Sequence, residues 1–169
     1  VLDVGGVDDH SFNQSAWEGA KSYAKENNLK AGQNAAVTYF NTKSQSDLNQ
    51  NFNLATKSKK YDIVYGIGYS LNQSISKSAK LNPKQKFVLV DDIVKNRKNV
   101  ASVMFRSEQS SYLAGVAAAT KAKENGEKTV GFIGGIHGNI IDAFDAGFEA
   151  GVKATDSSLT VQKQYADSF

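Results

Sequence analysis

Short apolar runs alternate with amphipathic helical patterns along the whole chain, and this alternation limits the fold more than any other feature. Leu2 and Val4, Ala35–Phe40, Asp62–Tyr65, Phe87–Val90, Val100–Phe105, Thr129–Ile133 and Leu159–Tyr165 read as strands. Between them, helical spacing recurs in Ala16, Ala20, Tyr23 and Ala24; in Leu48, Phe52 and Ala55; in Leu71, Ile75 and Ala79; in Tyr112, Leu113, Val116 and Thr120; and in Phe144, Phe148 and Val152. Phe87–Val90 is continuously apolar, the mark of a strand buried on both faces of a parallel sheet. The pattern predicts an α/β fold of parallel sheets flanked by helices.

The rhythm breaks once. Lys95–Asn99 is too short for a crossover helix, and a long small-residue helix then starts near Ser107. Two units are expected, residues 1–106 and residues 107–169. The second holds only two strands, which leaves an unpaired edge and an uncovered apolar face. Further residues are therefore expected after Phe169. They are expected before Val1 too, since the first residue already lies in an apparent strand.

Composition narrows the function. Of 169 residues, 40% are hydrophobic and 22% charged, the balance of a globular chain. A net charge of +3 is too mild to argue for nucleic acid or an anionic membrane, and the lysines read as scattered rather than collected in a patch. With no cysteine, disulfides, cysteine catalysis and cysteine-ligated zinc are excluded. No apolar run approaches the roughly 20 residues of a membrane span.

In an open α/β sheet, ligands bind beyond the carboxyl ends of the strands. The opening segment Val1–Gln14 supplies such an end: a strand, a Gly5-Gly6 turn, an acidic loop with Asp8 and Asp9, and a helix start at Ser11. Ser11 and Gln14 form a capping-box pattern. Phe12 and Asn13 fall in the first helical turn, where Phe12 serves either as a staple into the core or as a ligand-facing ring. Other strand exits carry Gly66, Gly68 and Tyr69, then Asp91 and Asp92, then Phe105, Gly134-Gly135 with His137, and Phe169.

The two aspartate pairs suit Mg²⁺ chemically, but a phosphoryl-transfer receiver of this architecture would want an aspartate where Gly66 stands. The glycine turns complete neither the P-loop nor the dinucleotide fingerprint, and carboxylates after the first strand repel phosphate. His137 has no neighbouring serine and reads as a solvated loop residue. The rim suits a neutral, hydroxyl-rich ligand with a flat ring. Asp91 can accept two charge-assisted bonds from a vicinal diol, or cap the next turn. Asn13 can donate and accept on one ring edge, and Phe12 and Phe169 can sandwich a ring. Tyr69 reads as a lid or a surface ring, and Phe105 as core or ligand wall.

Asp3–Gln14 closely resembles the opening of the basic membrane protein (Bmp/PnrA-like) lipoproteins, which are nucleoside-binding proteins of ABC transporters. The resemblance continues through Phe105–Gly115, Gly131–Gly135 and Phe144–Gly151. It implies a periplasmic-binding-protein type I fold, with two Rossmann-like lobes clamping a ligand and the second lobe incomplete in this chain. It implies an extracytoplasmic protein, lipid-anchored to the cell membrane through an N-terminal cysteine that this sequence lacks. The partners implied are a purine nucleoside and an ABC permease. Neither catalysis, a metal, a cofactor nor nucleic acid belongs to that role. By position, Phe12 matches the family's stacking ring, Asn13 the base-contacting amide, Asp91 the ribose-gripping carboxylate and Phe169 the opposing ring. Asp9, Ser11, Gly66, Gly68, Tyr69 and Phe105 complete the expected site. An effector-sensing domain of a transcription regulator has the same lobe architecture and is the alternative, and a DNA-binding segment before Val1 would mark it.

Overall fold

The computed structural model describes residues 1–167. The described chain divides into two compact units, Val1–Met104 and the part from Phe105 onward. The division falls after the last strand of the first unit, two residues before the 106/107 boundary expected from sequence.

Unit 1 contains α1 (Phe12–Glu26), α2 (Asp47–Lys57), β1 (Ile63–Ile67), α3 (Asn72–Leu81), β2 (Lys86–Val90) and β3 (Val100–Val103). A 3-10 turn, Tyr69–Leu71, leads into α3. The three strands form a parallel sheet in the order β1-β2-β3, with Ile63 level with Lys86 and Phe87 level with Val100. The predicted apolar stripes of α2 and α3 form its core: Leu48, Phe52, Leu71, Ile75 and Ala79 pack on Val64, Phe87 and Leu89.

The first two predicted strands are not regular strands. They extend the sheet through single contacts only. Ile67 N–H donates to Val1 O (3.1 Å), Leu2 N–H donates to Phe40 O (3.1 Å), and Val4 bridges Thr42 in parallel. Side chains replace the remaining ladder bonds. The Thr42 hydroxyl donates to Leu2 O (2.6 Å), and the Asn51 amide donates to Asn41 O (2.9 Å) and to the Thr42 hydroxyl (3.1 Å). Upstream, a tight turn at Gly32–Val37 uses the residues expected to start the second strand.

β1 also runs further than predicted. Gly66 lies within the strand, and its bare Cα faces the core. A Cβ there would sit 3.2 Å from Phe52 Cζ and 3.3 Å from Ile75 Cδ1. The strand exit is Gly68, at φ +108°.

Unit 2 contains α4 (Ser107–Glu124), β4 (Thr129–Gly134), α5 (Asn139–Thr155) and β5 (Thr160–Tyr165), with β4 and β5 parallel. Its core is Ala119, Ala122, Phe148, Val152 and Leu159. Small residues let α4 and α5 pack backbone to backbone: a Cβ on Gly147 would collide with Glu108 O, and one on Gly151 with Tyr112 O. The Ser111 hydroxyl donates to Phe144 O (2.6 Å) across the same seam. Beside it, Lys163 pairs with Asp145 (2.8 Å) and Glu149 (2.6 Å). His137 is not simply solvated. Its ring stacks on Tyr165 with centroids 3.6 Å apart, and its Nδ1 lies 3.0 Å from Asp142 Oδ1. Ile133 is 80% exposed, so one face of this two-stranded sheet lies open. No helix among the described residues is long and apolar enough to cross a membrane.

The glycine seam is directly testable. Gly147→Ala forces α4 and α5 apart and is expected to cost about 3 kcal/mol or more of stability, the upper end for overpacking a tight core. Urea denaturation measures it, and a loss below about 0.5 kcal/mol contradicts the seam.

Candidate functional site

The carboxyl ends of the first segment, β1 and β2 lie side by side in unit 1, so the loops that follow them share one rim. The first loop turns at Gly5 and Gly6, both at positive φ (121° and 75°), where a Cβ is strained. Beyond it the chain is held by Asp9. Its Oδ1 accepts from Ser11 N–H (2.9 Å) and Gln14 N–H (3.0 Å), and its Oδ2 from Asn13 N–H (3.0 Å). α1 does begin after Ser11, as the sequence predicts, but the Ser11 hydroxyl makes no capping bond. The cap is Asp9, because its carboxylate satisfies three donors that a hydroxyl cannot. Partial desolvation raises the Asp9 pKa. The N–H groups of Gln14, Asn13 and Ser11, with the Asn13 side chain, more than offset this and leave it below the ordinary carboxylate value.

Asn13 is buried, at 2% exposure. Its Oδ1 accepts from Asp3 N–H (3.1 Å) and its Nδ2 donates to Asp3 O (3.3 Å). This two-way pairing ties the start of α1 to the first segment, and it uses the amide that the sequence directs at a ligand ring. Phe12, the first residue of α1, is 39% exposed.

The exit of β1 follows. Gly68 donates to Val90 O (3.2 Å), and a Cβ there would meet Asp3 Oδ2 at 3.1 Å. Tyr69 comes next, partly exposed. Burial, then the charges of Asp3 and Asp91, push its hydroxyl pKa above the ordinary value. Tyr69 therefore sits in the field of two acids from two different loops. Sequence reading passed over Asp3. A carboxylate inside an apolar strand run, just before a Gly-Gly turn, was its signal.

The exit of β2 separates two adjacent aspartates. Asp92 Oδ2 accepts from Asn72 Nδ2 (2.6 Å) and its Oδ1 from Ile93 N–H (2.7 Å), so it fastens this loop to the start of α3. Asp91 adopts φ +73°, sparsely populated for a non-glycine residue, and its N–H donates to Val103 O (2.8 Å). Its carboxylate accepts no hydrogen bond from any described residue. Burial, then the Asp92 charge, raise its pKa above the ordinary value. Among the described residues, no group of three or more His, Asp or Glu is placed to hold a metal ion. The oxygens of Asp9 and Asp92 are already committed.

Of the expected site residues, unit 1 brings Asp9, Ser11, Phe12, Gly68, Tyr69 and Asp91 to this rim. Asn13 lies beneath it and Gly66 within β1. Phe105 is 53% exposed and opens unit 2, and Phe169 lies outside the described residues.

A family model described as "ABC transporter substrate-binding protein PnrA-like" matches residues 1–169. The chain belongs to this PnrA-like family. It is 48% identical over its full length to the ABC transporter nucleoside-binding protein BmpA of Lactococcus lactis subsp. cremoris, covering 46% of that protein. It is 33% identical over 98% of its length to basic membrane protein A of Borreliella burgdorferi, again covering 46%. Among solved structures it matches an ABC transporter solute-binding protein from Aeropyrum pernix K1, with TM-score 0.79, 27% identity, 98% of this chain and 45% of that one. The fold is of the periplasmic-binding-protein type, and the chain spans about half the length of the curated relatives it matches.

The Asp9 cap carries a pH signature. Its folded pKa is depressed, so its stabilisation is fully present above the ordinary value of 3.8 and is lost as pH falls through the folded value. Asp9→Ala is expected to lower the melting temperature clearly at neutral pH and to converge with the wild type in strong acid. A constant gap across the acid range contradicts the cap.

Proposed function

We propose that the full-length protein is an extracytoplasmic substrate-binding lipoprotein, anchored to the cell membrane, that captures purine nucleosides and delivers them to an ABC importer without transforming them. The observation that carries this reading is Asp91. It is an acceptor-only group at the rim of a parallel sheet, held in an uncommon backbone conformation and left without a donor among the described residues. Its neighbour Asp92 is fully engaged. A vicinal diol offers two donors to such a group, and charge-assisted bonds are the strong ones.

The surrounding chemistry favours a neutral ligand. Asp3, Asp9, Asp91 and Asp92 surround the same rim and repel a phosphate. Phe12 and Tyr69 offer partly exposed rings suited to a flat base. The relative named as a nucleoside-binding protein, at 48% identity, supports the same ligand class.

Asp91→Ala in the full-length protein is expected to weaken nucleoside binding by about 1.5–3 kcal/mol, roughly 10- to 150-fold, while free-base affinity changes little. Titration calorimetry with both ligands checks this, and equal losses remove Asp91 from the ribose. Wild-type affinity for the nucleoside should also fall with acidification, at a pH above the ordinary aspartate value, because only ionised Asp91 accepts both hydroxyls. In Asp91→Asn that acid limb should disappear.

A further inference from the structure

The lysines that look scattered in the sequence are gathered by the fold at one end of unit 1. Residues 1–104 hold 14 Lys and Arg against 9 Asp and Glu, a net +5, and the remaining residues hold 6 against 8, a net −2. Five of the nine acids, Asp3, Asp8, Asp9, Asp91 and Asp92, lie in or beside the rim loops. The opposite end of the sheet, its foot, is where β1, β2 and β3 start side by side. Lys59 and Lys60 precede β1, Lys84 precedes β2 and Lys86 starts it, Lys98 precedes β3, and Lys80 lies in the last turn of α3. All six are exposed. Across residues 48–90 the only acid is Asp62.

The foot is rigidly built. Asn99 Nδ2 lies within hydrogen-bonding distance of Ala79 O (3.1 Å), Asn82 O (3.1 Å) and Gln85 O (2.9 Å), its two hydrogens shared among them, which ties the loop before β3 to the end of α3 and the loop that follows it. Gln85 Nε2 donates to Tyr61 O (3.0 Å) and Asp62 O (3.1 Å). Arg97 Nε donates to Ser76 O (3.0 Å). Between these knots lies an open cleft of about 430 Å³ walled by Lys80, Pro83, Asn96, Arg97, Lys98 and Asn99. Among the described residues, the ion pair of unit 1 is Lys21–Glu18 on α1, and no cation of the foot joins one. Leu81 stands among these lysines at 66% exposure.

We propose that this foot is a docking face for the anionic lipid headgroups of a bilayer. Lysines around a protruding leucine suit the headgroup layer, where ammonium groups meet phosphates and the leucine reaches the acyl boundary. Position favours the same partner. Val1 lies level with Tyr65 and Ile67 and runs parallel to β1, so its N-terminal side faces the Ile63 end of the strand, toward the foot. The inference rests on the reading that the protein is tethered to a membrane at that end. A basic face beside the anchor point attracts anionic headgroups and so sets the orientation of the tethered unit on the lipid. The acidic rim then points away from the lipid, with its ligand loops clear of the surface.

The test is sedimentation of the full-length, unacylated protein with vesicles of phosphatidylcholine, with and without one third phosphatidylglycerol. Binding is expected only to the anionic vesicles, and it should vanish at high salt. The triple variant Lys80→Glu, Lys84→Glu and Lys98→Glu should lose more than about a hundredfold in partitioning, taking roughly fivefold for each lysine removed and more for its reversal. The triple Lys121→Glu, Lys123→Glu and Lys128→Glu in unit 2 makes the same change in net charge and should bind nearly as the wild type does. Lys98→Gln, the mildest change, should lose about fivefold. Absence of wild-type binding at low salt, equal binding to neutral vesicles, or equal loss in both triples overturns the proposal. Tighter binding to soluble polyglutamate than to vesicles overturns it in favour of an acidic protein partner. Nucleoside titration of the same samples separates this outcome from the ligand reading, since no foot residue lies at the rim.

Discussion

Asn13 and the main chain of Asp3 exchange a donor and an acceptor beneath the rim, and the geometry of unit 1 at that end depends on the exchange. The first segment has too few ladder bonds to hold itself in a sheet. Pairing it to the start of α1 fixes both. Asp9 closes the loop from the other side by taking the N–H groups of Ser11, Asn13 and Gln14. With that loop fixed, Phe12 is held at the start of α1, and the Asp3 carboxylate stands over Gly68 beside Tyr69. A buried amide paired with backbone on both edges is costly to disturb, since either loss leaves a desolvated polar group without a partner.

The rim divides its acids by task. Asp9 and Asp92 spend their oxygens on backbone and amide donors and shape loops. Asp91 accepts no hydrogen bond from a described residue, and it combines an uncommon backbone conformation with an unfavourable desolvation. A site of this kind suits a ligand that brings hydroxyl donors and no negative charge. The same parallel topology sends acids to the strand exits and lysines to the strand starts, so one unit carries an acidic rim and a basic foot at opposite ends of one sheet.

Much of this was legible in the sequence. The periods of Leu48, Phe52 and Ala55 and of Leu71, Ile75 and Ala79 gave the core of unit 1, because burial follows helical spacing closely. The position of Asp91 at a strand exit was legible because the continuous apolar run Phe87–Val90 marks β2. Long-range hydrogen bonding was not. Asn13 reads as a ligand amide until its partner, ten residues earlier, is known. Ser11 reads as a cap until Asp9 proves the better acceptor. Gly66 looked like a turn because glycine marks both turns and tight packing, and only the neighbouring Phe52, Leu71 and Ile75 separate the two. The basic foot was invisible because its lysines come from four separate segments.

A rim lined by Asp3, Asp9, Asp91 and Asp92 should take a nucleoside and reject its phosphorylated form. Calorimetric titration of the full-length protein, stripped of ligand by unfolding and refolding, decides it. The panel is adenosine, guanosine, inosine, uridine, ribose and adenosine monophosphate, with and without Mg²⁺. Tight, Mg²⁺-independent binding of purine nucleosides is expected, with none of the nucleotide. Binding of ribose alone, binding of the nucleotide, or no binding by a folded protein would contradict it.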